Sequence, residues 1–317
     1  MTLPSILTAA IVALGIAAAL YIASAWALAR LWCKPKRLPV SKTPADVELP
    51  FEAIQFSSHE VPIKGWFIPA ASSASPQPVI VLAHGWSKNA AELLLLARLL
   101  HKADFALLLY DARGHGASGA DGPITILKLA QDIVAGIEYL DTRTDVDQRR
   151  IGVLGRSIGG SAAIVAASME PRIRAVASCS AFADPKALTR GFLAMLHIPP
   201  ALFSRPVFRF IERWLGTTMD SVAPQNRVAQ IAVPLLLIHG EADRYIRPSN
   251  VETLYARAPR EHTQRLLIPN RGHSDVIRDP KCSQEIVAFF CRSLSPDGYP
   301  IVPETYQMPR AEEAVRG

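Results

Sequence analysis

From Ile6 to Leu28 the chain is apolar almost without interruption, and only Thr8, Tyr21, Ser24 and Trp26 carry a polar atom in the side chain. As a helix those 23 residues reach roughly 35 Å, against a hydrocarbon core of about 30 Å. After Phe51 the pattern changes. Phe51–Ser57 and Ile63–Pro69 read as an opening antiparallel pair of strands. Short continuous apolar runs follow at Val79–Ala83, Phe105–Tyr110, Ile151–Leu154, Ala175–Ser178, Pro234–Ile238 and Gln264–Ile268. Such runs suit strands buried on both faces. Helical patterns separate most of them, at Ala90–Lys102, Ile126–Leu140, Gly159–Ser168, Pro248–Ala258 and Pro280–Leu294. The alternation predicts an α/β fold, a mainly parallel sheet with helices on both faces.

One stretch breaks the rhythm. More chain than a crossover needs lies between the strand ending near Ser178 and the strand starting at Pro234. An insertion at the C-terminal end of a strand in such a sheet overlies the functional crevice. Within it, Val207, Phe210, Ile211 and Trp214 recur at helical spacing, with Arg209, Glu212 and Arg213 on the other side. This predicts an amphipathic cap helix. The aromatic and basic side chains also suit a membrane surface and a lipid-like substrate. The organisation expected is a transmembrane helix over 3–29, a basic proline-rich linker over 30–50, an α/β domain over 51–294 with a cap insertion over 184–227, and a flexible tail over 295–317.

Composition narrows the class. Of 317 residues, 50% are hydrophobic and 20% charged, which excludes a disordered chain. Four cysteines without a C-x-x-C exclude a disulfide scaffold or a zinc ribbon. Reduced thiols agree with a cytoplasmic domain. Cys282 and Cys291 lie too far apart along one helical pattern to bridge. The net charge of +6 invites a nucleic-acid reading. However, Arg30, Lys34, Lys36, Arg37 and Lys42 all precede the first acid, Asp46. A juxtamembrane polybasic stretch explains the excess, and no nucleic-acid partner is expected. The positive-inside rule puts the C-terminal side in the cytoplasm of a single-pass membrane protein, with Trp26 and Trp32 as the interfacial belt. A cleaved signal peptide would need a basic leader and a shorter apolar run.

The chemistry sits in the loops after the strands. Gly155-Arg156-Ser157-Ile158-Gly159 is G-x-S-x-G between a strand and a helix. That turn lifts a serine hydroxyl clear of the sheet, and the flanking glycines avoid a collision. The Ile158 N–H at the helix start is free to hold an oxyanion. In this motif an acid and then a histidine follow the serine along the chain. His273, after the last strand pattern, is the best base among His197, His239, His262 and His273. Asp243 is the best acid, with Glu241 and Asp184 as competitors. Gly114, Gly116 and Gly119 also spell G-x-G-x-x-G, but no helix starts inside the motif, as a dinucleotide site requires. No nucleotide, cofactor or metal is expected, and His115 is read as structural or pocket-rim.

At this point the chain resembles the α/β-hydrolase superfamily. His84-Gly85-Trp86 is similar to its oxyanion loop, Asp111–Ser118 to its D-x-R-G-H-G-x-S loop, His239–Asp243 to its acid loop and Gly272-His273 to its histidine loop. The resemblance covers residues from about 51 to 294. It implies the α/β-hydrolase fold with a cap insertion, and the Trp86 N–H as second oxyanion donor beside Ile158. It also implies a serine hydrolase of the membrane-anchored lipase, peptidase or thioesterase-like kind. The expected activity is cleavage of an ester or thioester through an acyl-enzyme on Ser157, with an acyl or lipid-like small molecule as substrate. An amidase or peptidase with the same triad is the alternative, as is a haloperoxidase-like enzyme. A non-catalytic binding protein would be expected to lose a triad member, and none is missing.

Overall fold

Successive residues of the central strands point to opposite sides, and both sides are apolar. In β3 (Gln77–Ala83), Val79, Val81 and Ala83 join one core layer while Ile80 and Leu82 join the other. In β4 (Ala106–Tyr110), Ala106, Leu108 and Tyr110 alternate in the same way with Leu107 and Leu109. This two-sided burial is why their runs are continuous rather than alternating. The computed structural model describes residues 3–72 and 76–295. The expected tail, apart from Ser295, lies outside the described residues.

The eight strands run in the order β1-β2-β4-β3-β5-β6-β7-β8. β1 (Glu52–Ser58) and β2 (Val61–Ile68) form the antiparallel edge, and β2 also lies antiparallel to β4. β5 (Val146–Arg156), β6 (Ile173–Cys179), β7 (Leu235–Gly240) and β8 (Thr263–Ile268) continue the sheet in parallel. One layer is filled by α2 (Leu94–Lys102) and α9 (Pro280–Ser293). The other is filled by α3 (Ile126–Leu140), α4 (Ile158–Ala167) and α8 (Ser249–Arg257). Thr125 caps α3 through the Lys128 N–H, and Asp279 caps α9 through the Lys281 N–H.

Several expectations change. The apolar helix α1 runs Leu3–Trp32, three residues past its expected end at Ala29. The segment after it is no free linker. Its backbone is fastened to the domain by Ile124 N–H to Cys33 O (2.8 Å), Lys36 N–H to Ser87 Oγ (2.9 Å) and Asn89 Nδ2 to Pro39 O (3.1 Å). Prolines leave carbonyls without competing N–H groups in the segment, and these loops use them. The insertion contains two long helices, α5 (Pro185–Met195) and α6 (Pro200–Leu215), followed by the single turn α7 (Pro224–Arg227). The buried face of α6 is Val207, Phe208, Ile211 and Leu215, whereas Phe210 and Trp214 are only half-buried. The face is rotated because α6 packs against α1, through Ala25 and Ala29, as well as over the domain. All four cysteines are free and buried.

Candidate active site

The C-terminal ends of β3, β4, β5, β7 and β8 all lie at one edge of the sheet, and the loops leaving them carry the candidate site residues. Ser157 sits between β5 and α4 at φ 55° and ψ −122°, a backbone conformation that L side chains rarely adopt. A Cβ on Gly155 would lie 2.1 Å from Gly159 O, and one on Gly159 would lie 2.3 Å from Ala83 O. Neither position admits a side chain, so the turn can be this tight only with glycine at both places.

Three loops converge on that turn. The Ser157 hydroxyl lies 3.0 Å from His273 Nε2, and His273 Nδ1 lies 2.7 Å from Asp243 Oδ2. The Tyr245 and Ile246 N–H groups both donate to Asp243 Oδ1 at 2.9 Å. Burial alone would raise the Asp243 carboxyl. Hydrogen bonds from His239 and His273 outweigh it, helped by the His273 charge and the Ile246 N–H, and hold it well below the usual carboxylate range. The acid and histidine loops are also tied by backbone, with Ala242 N–H to Arg271 O at 2.9 Å. A hydroxyl bonded to an imidazole whose far nitrogen is held by a carboxylate can lose its proton as it attacks.

The competing candidates fall away. Glu241 is exposed, and Asp184 caps α5 through the Lys186 N–H. His197 is exposed beyond the end of α5, and His262 bonds Ile231 O. His239 is wholly buried; its Nε2–H reaches Ile246 O at 2.6 Å and lies 3.3 Å from Asp243 Oδ2. It supports the acid loop from beneath.

Trp86 and Ile158 border the same cavity as Ser157. Among the described residues neither backbone N–H donates to a backbone carbonyl outside its own element. The loop carrying Trp86 is held from two sides. His84 accepts the Ala112 N–H at Nε2 (3.0 Å), which leaves Nδ1–H to donate to Gly85 O (2.8 Å). Gly85 N–H donates to Glu92 Oε2 at 2.9 Å.

Sequence reasoning missed what Glu92 does next. Its other oxygen pairs with Arg156, and Arg156 Nη2 donates to His273 O at 2.8 Å. One ion pair therefore joins the Trp86 loop, the Ser157 turn and the His273 loop. Arg156 stood in the sequence as the unassigned x of G-x-S-x-G; a charged residue beside the serine was the available signal.

The glycine-rich loop after β4 is a brace rather than a phosphate cradle. Asp111 accepts the Ala90 and Ala117 N–H groups, each at 2.8 Å, and a Cβ on Gly116 would strike the Asp111 carboxylate. Arg113 is buried against Asp132, with Nη2 at 2.7 Å from Oδ1. The following helix begins only at Ile126. His115 donates from Nδ1 to Arg113 O at 2.9 Å, packs edge-on to Trp86 and is structural.

The cavity beside Ser157 has a volume of about 860 Å³. Its walls come from Phe182, from Leu188 and Phe192 of α5, from Ile211 and Leu215 of α6, and from Trp32 at the end of α1. Trp32 is thus not a belt residue: its ring lies 4.3 Å from that of Phe192, centroid to centroid.

This sheet order, with a serine on a strained turn between β5 and α4 under a helical cap, defines an α/β-hydrolase. The chain belongs to the serine aminopeptidase S33 family, whose model matches residues 74–219 and 200–281. It is 29% identical over 255 residues to the uncharacterized protein YfhR of Escherichia coli K12, covering 77% of this chain and 82% of that one. It is 26% identical over 240 residues to the α/β-hydrolase domain-containing protein WAV2 of Arabidopsis thaliana, covering 74% and 75%. Among solved structures, an esterase of Pyrococcus furiosus superposes with a TM-score of 0.65 at 22% identity, covering 82% of this chain and 100% of that one.

Proposed function

We propose that this hydrolase is a membrane-anchored serine enzyme that cleaves an ester or thioester through an acyl-enzyme on Ser157. The observation that carries the proposal is the chain of contacts from Ser157 Oγ to His273 Nε2 (3.0 Å) and from His273 Nδ1 to Asp243 (2.7 Å), on a serine at φ 55°. Ser157 Oγ bonds to the acyl carbon while its proton passes to His273. The oxyanion is held by the Trp86 and Ile158 N–H groups. The leaving alcohol or thiol takes the proton from His273 as its bond to carbon breaks, and water then reverses the same steps to free the acid.

The cavity lining favours an acyl ester over an N-terminal peptide. An aminopeptidase site needs a carboxylate for the protonated α-amine. Among the described lining residues there is no Asp or Glu, and Arg244 and Arg247 supply the opposite charge. The anchoring part rests on α1, which is long and apolar enough to cross a membrane. Its last turns and Cys33 are bonded into the domain, contacts that cleavage as a signal sequence would remove.

Asp243→Asn leaves the shape intact but lets the imidazole settle in the wrong tautomer. Hydrolysis of a p-nitrophenyl ester by this variant is expected to fall about 10⁴-fold in kcat. A loss below tenfold contradicts the assignment of Asp243.

A further inference from the structure

The anchor helix lies against the cap as well as below it. Ala25 and Ala29 of α1 are fully buried in a cluster with Val207, Phe208 and Ile211 of α6. Tyr21 donates to Leu202 O at 2.6 Å, and its ring lies 5.2 Å from that of Phe203. Small residues at 25 and 29 let the two helices approach closely. Residues 3–20, free of these contacts, span about 27 Å as a helix, close to the thickness of a hydrocarbon core. Tyr21 and Trp26, 40% and 44% exposed, then sit at the level of the headgroups. The start of α6 sits there too. Met195, Leu196 and Leu202 are exposed around the α5–α6 connection, with Leu202 the α6 residue bonded to Tyr21.

Trp32 and Cys33 carry this arrangement into the site, because both border the cavity that holds Ser157. A second cavity of about 280 Å³ shares Cys33 and Ile124 with the first, and Arg30, Lys34 and Arg37 surround it. The apolar cavity and the basic collar are therefore neighbours across one segment of chain. At about 860 Å³ the main cavity is at the upper end of the range for ligand sites, roughly 300–1,000 Å³.

We propose that the end of the anchor helix is a wall of the acyl-binding site. The substrate is a long-chain ester or thioester resident in the bilayer, and its chain passes between Trp32 and the cap helices to place its carbonyl at Ser157. This rests on the acyl-hydrolase reading given above and adds the source and length of the chain. Trp32, packed against the Phe192 ring, is then a determinant of chain length, and the helix does more than tether the enzyme.

The test uses the whole 317-residue chain in phosphatidylcholine vesicles containing phosphatidylglycerol. A dodecyl fluorophosphonate with a diazirine at the far end of the chain is allowed to react, irradiated and mapped by peptide mass spectrometry. The expected result is one probe attached to Ser157 and crosslinked to the segment containing Trp32 or to α5. Attachment to Ser157 with crosslinks only near Arg244–Asn250 overturns this inference and leaves the acyl-hydrolase reading standing. No attachment to Ser157 overturns both. In parallel, Trp32→Ala is expected to lower the ratio of kcat/KM for dodecanoyl over acetyl esters about tenfold, since it removes wall from one arm of the site. An unchanged ratio counts against the proposal. If that variant fails to fold, the crosslink on the wild-type chain decides alone.

Discussion

Loss of the Glu92–Arg156 ion pair separates geometry from chemistry. Neither side chain is placed to touch a reacting atom, yet the pair holds Gly85 N–H on one side and His273 O on the other. Glu92→Gln is expected to reduce kcat by up to about 100-fold, with a smaller change in KM, since misplacement by about 1 Å has that cost. Loss of a buried partner also costs about 3–5 kcal/mol of stability, so the melting temperature must be recorded beside the kinetics. A variant that melts lower but keeps its kcat would show the pair to be structural alone. His115 gives a second residue-scale prediction. Burial pushes its pKa down to about 4, aided by the nearby His84, and its buried Nε2 has no hydrogen-bond partner among the described residues. The unfolded chain takes up that proton near pH 6.5, so folded-state stability is complete above pH 6.5 and declines as the pH falls toward 4. For His115 alone the loss is on the order of 3 kcal/mol. Urea titrations between pH 7 and 4 should show a shallower decline for His115→Gln than for the wild type.

At the level of elements, the strands were the most legible part of the sequence. Two-sided burial makes a continuous apolar run, and each such run after Phe51 corresponds to a strand. β5 was under-read because its first half, Val146–Arg150, is polar; it joins the sheet by pairing Val146 with Gln77 before the buried run begins. The cap was read as one amphipathic helix, but α5 has few buried side chains and its pattern is weak: Thr189 and Leu193 are buried, with Pro185 in the first turn. The rotated face of α6 could not be read locally, because its second contact surface is a helix some 180 residues away in sequence. Arg209 and Arg213 remain exposed on its outer side. Reversing both charges, Arg209→Glu with Arg213→Glu, should weaken association of the cap with anionic vesicles, read as slower turnover of vesicle-held ester when phosphatidylglycerol is present. Equal rates in neutral and anionic vesicles for both proteins would place this face away from the membrane.

For the whole molecule, the candidate triad was legible because its three members follow strands that could themselves be recognised. Ser157, Asp243 and His273 each had a sequence context, and the structure brings them within hydrogen-bond distance. What the sequence hid was long-range. The proline-rich segment reads as a linker because it has no periodicity, yet it is bonded along its length to Ser87, Asn89, Ser118 and Ile124. The apolar helix reads as a tether because every residue in it suits lipid, yet Ala25 and Ala29 face protein. A lipid-facing and a protein-facing alanine are indistinguishable in composition. The apolar helix, the cap and the candidate site therefore pack as one unit, and the central question is whether that unit holds an activated serine.

The measurement that tests this most directly is labelling of the full-length, detergent-solubilised protein with a fluorophosphonate probe beside Ser157→Ala and His273→Ala. The account predicts labelling of the wild type, none in Ser157→Ala, and a rate reduced by several orders of magnitude in His273→Ala. Labelling that persists in Ser157→Ala, or a folded wild-type protein that does not react, would contradict it.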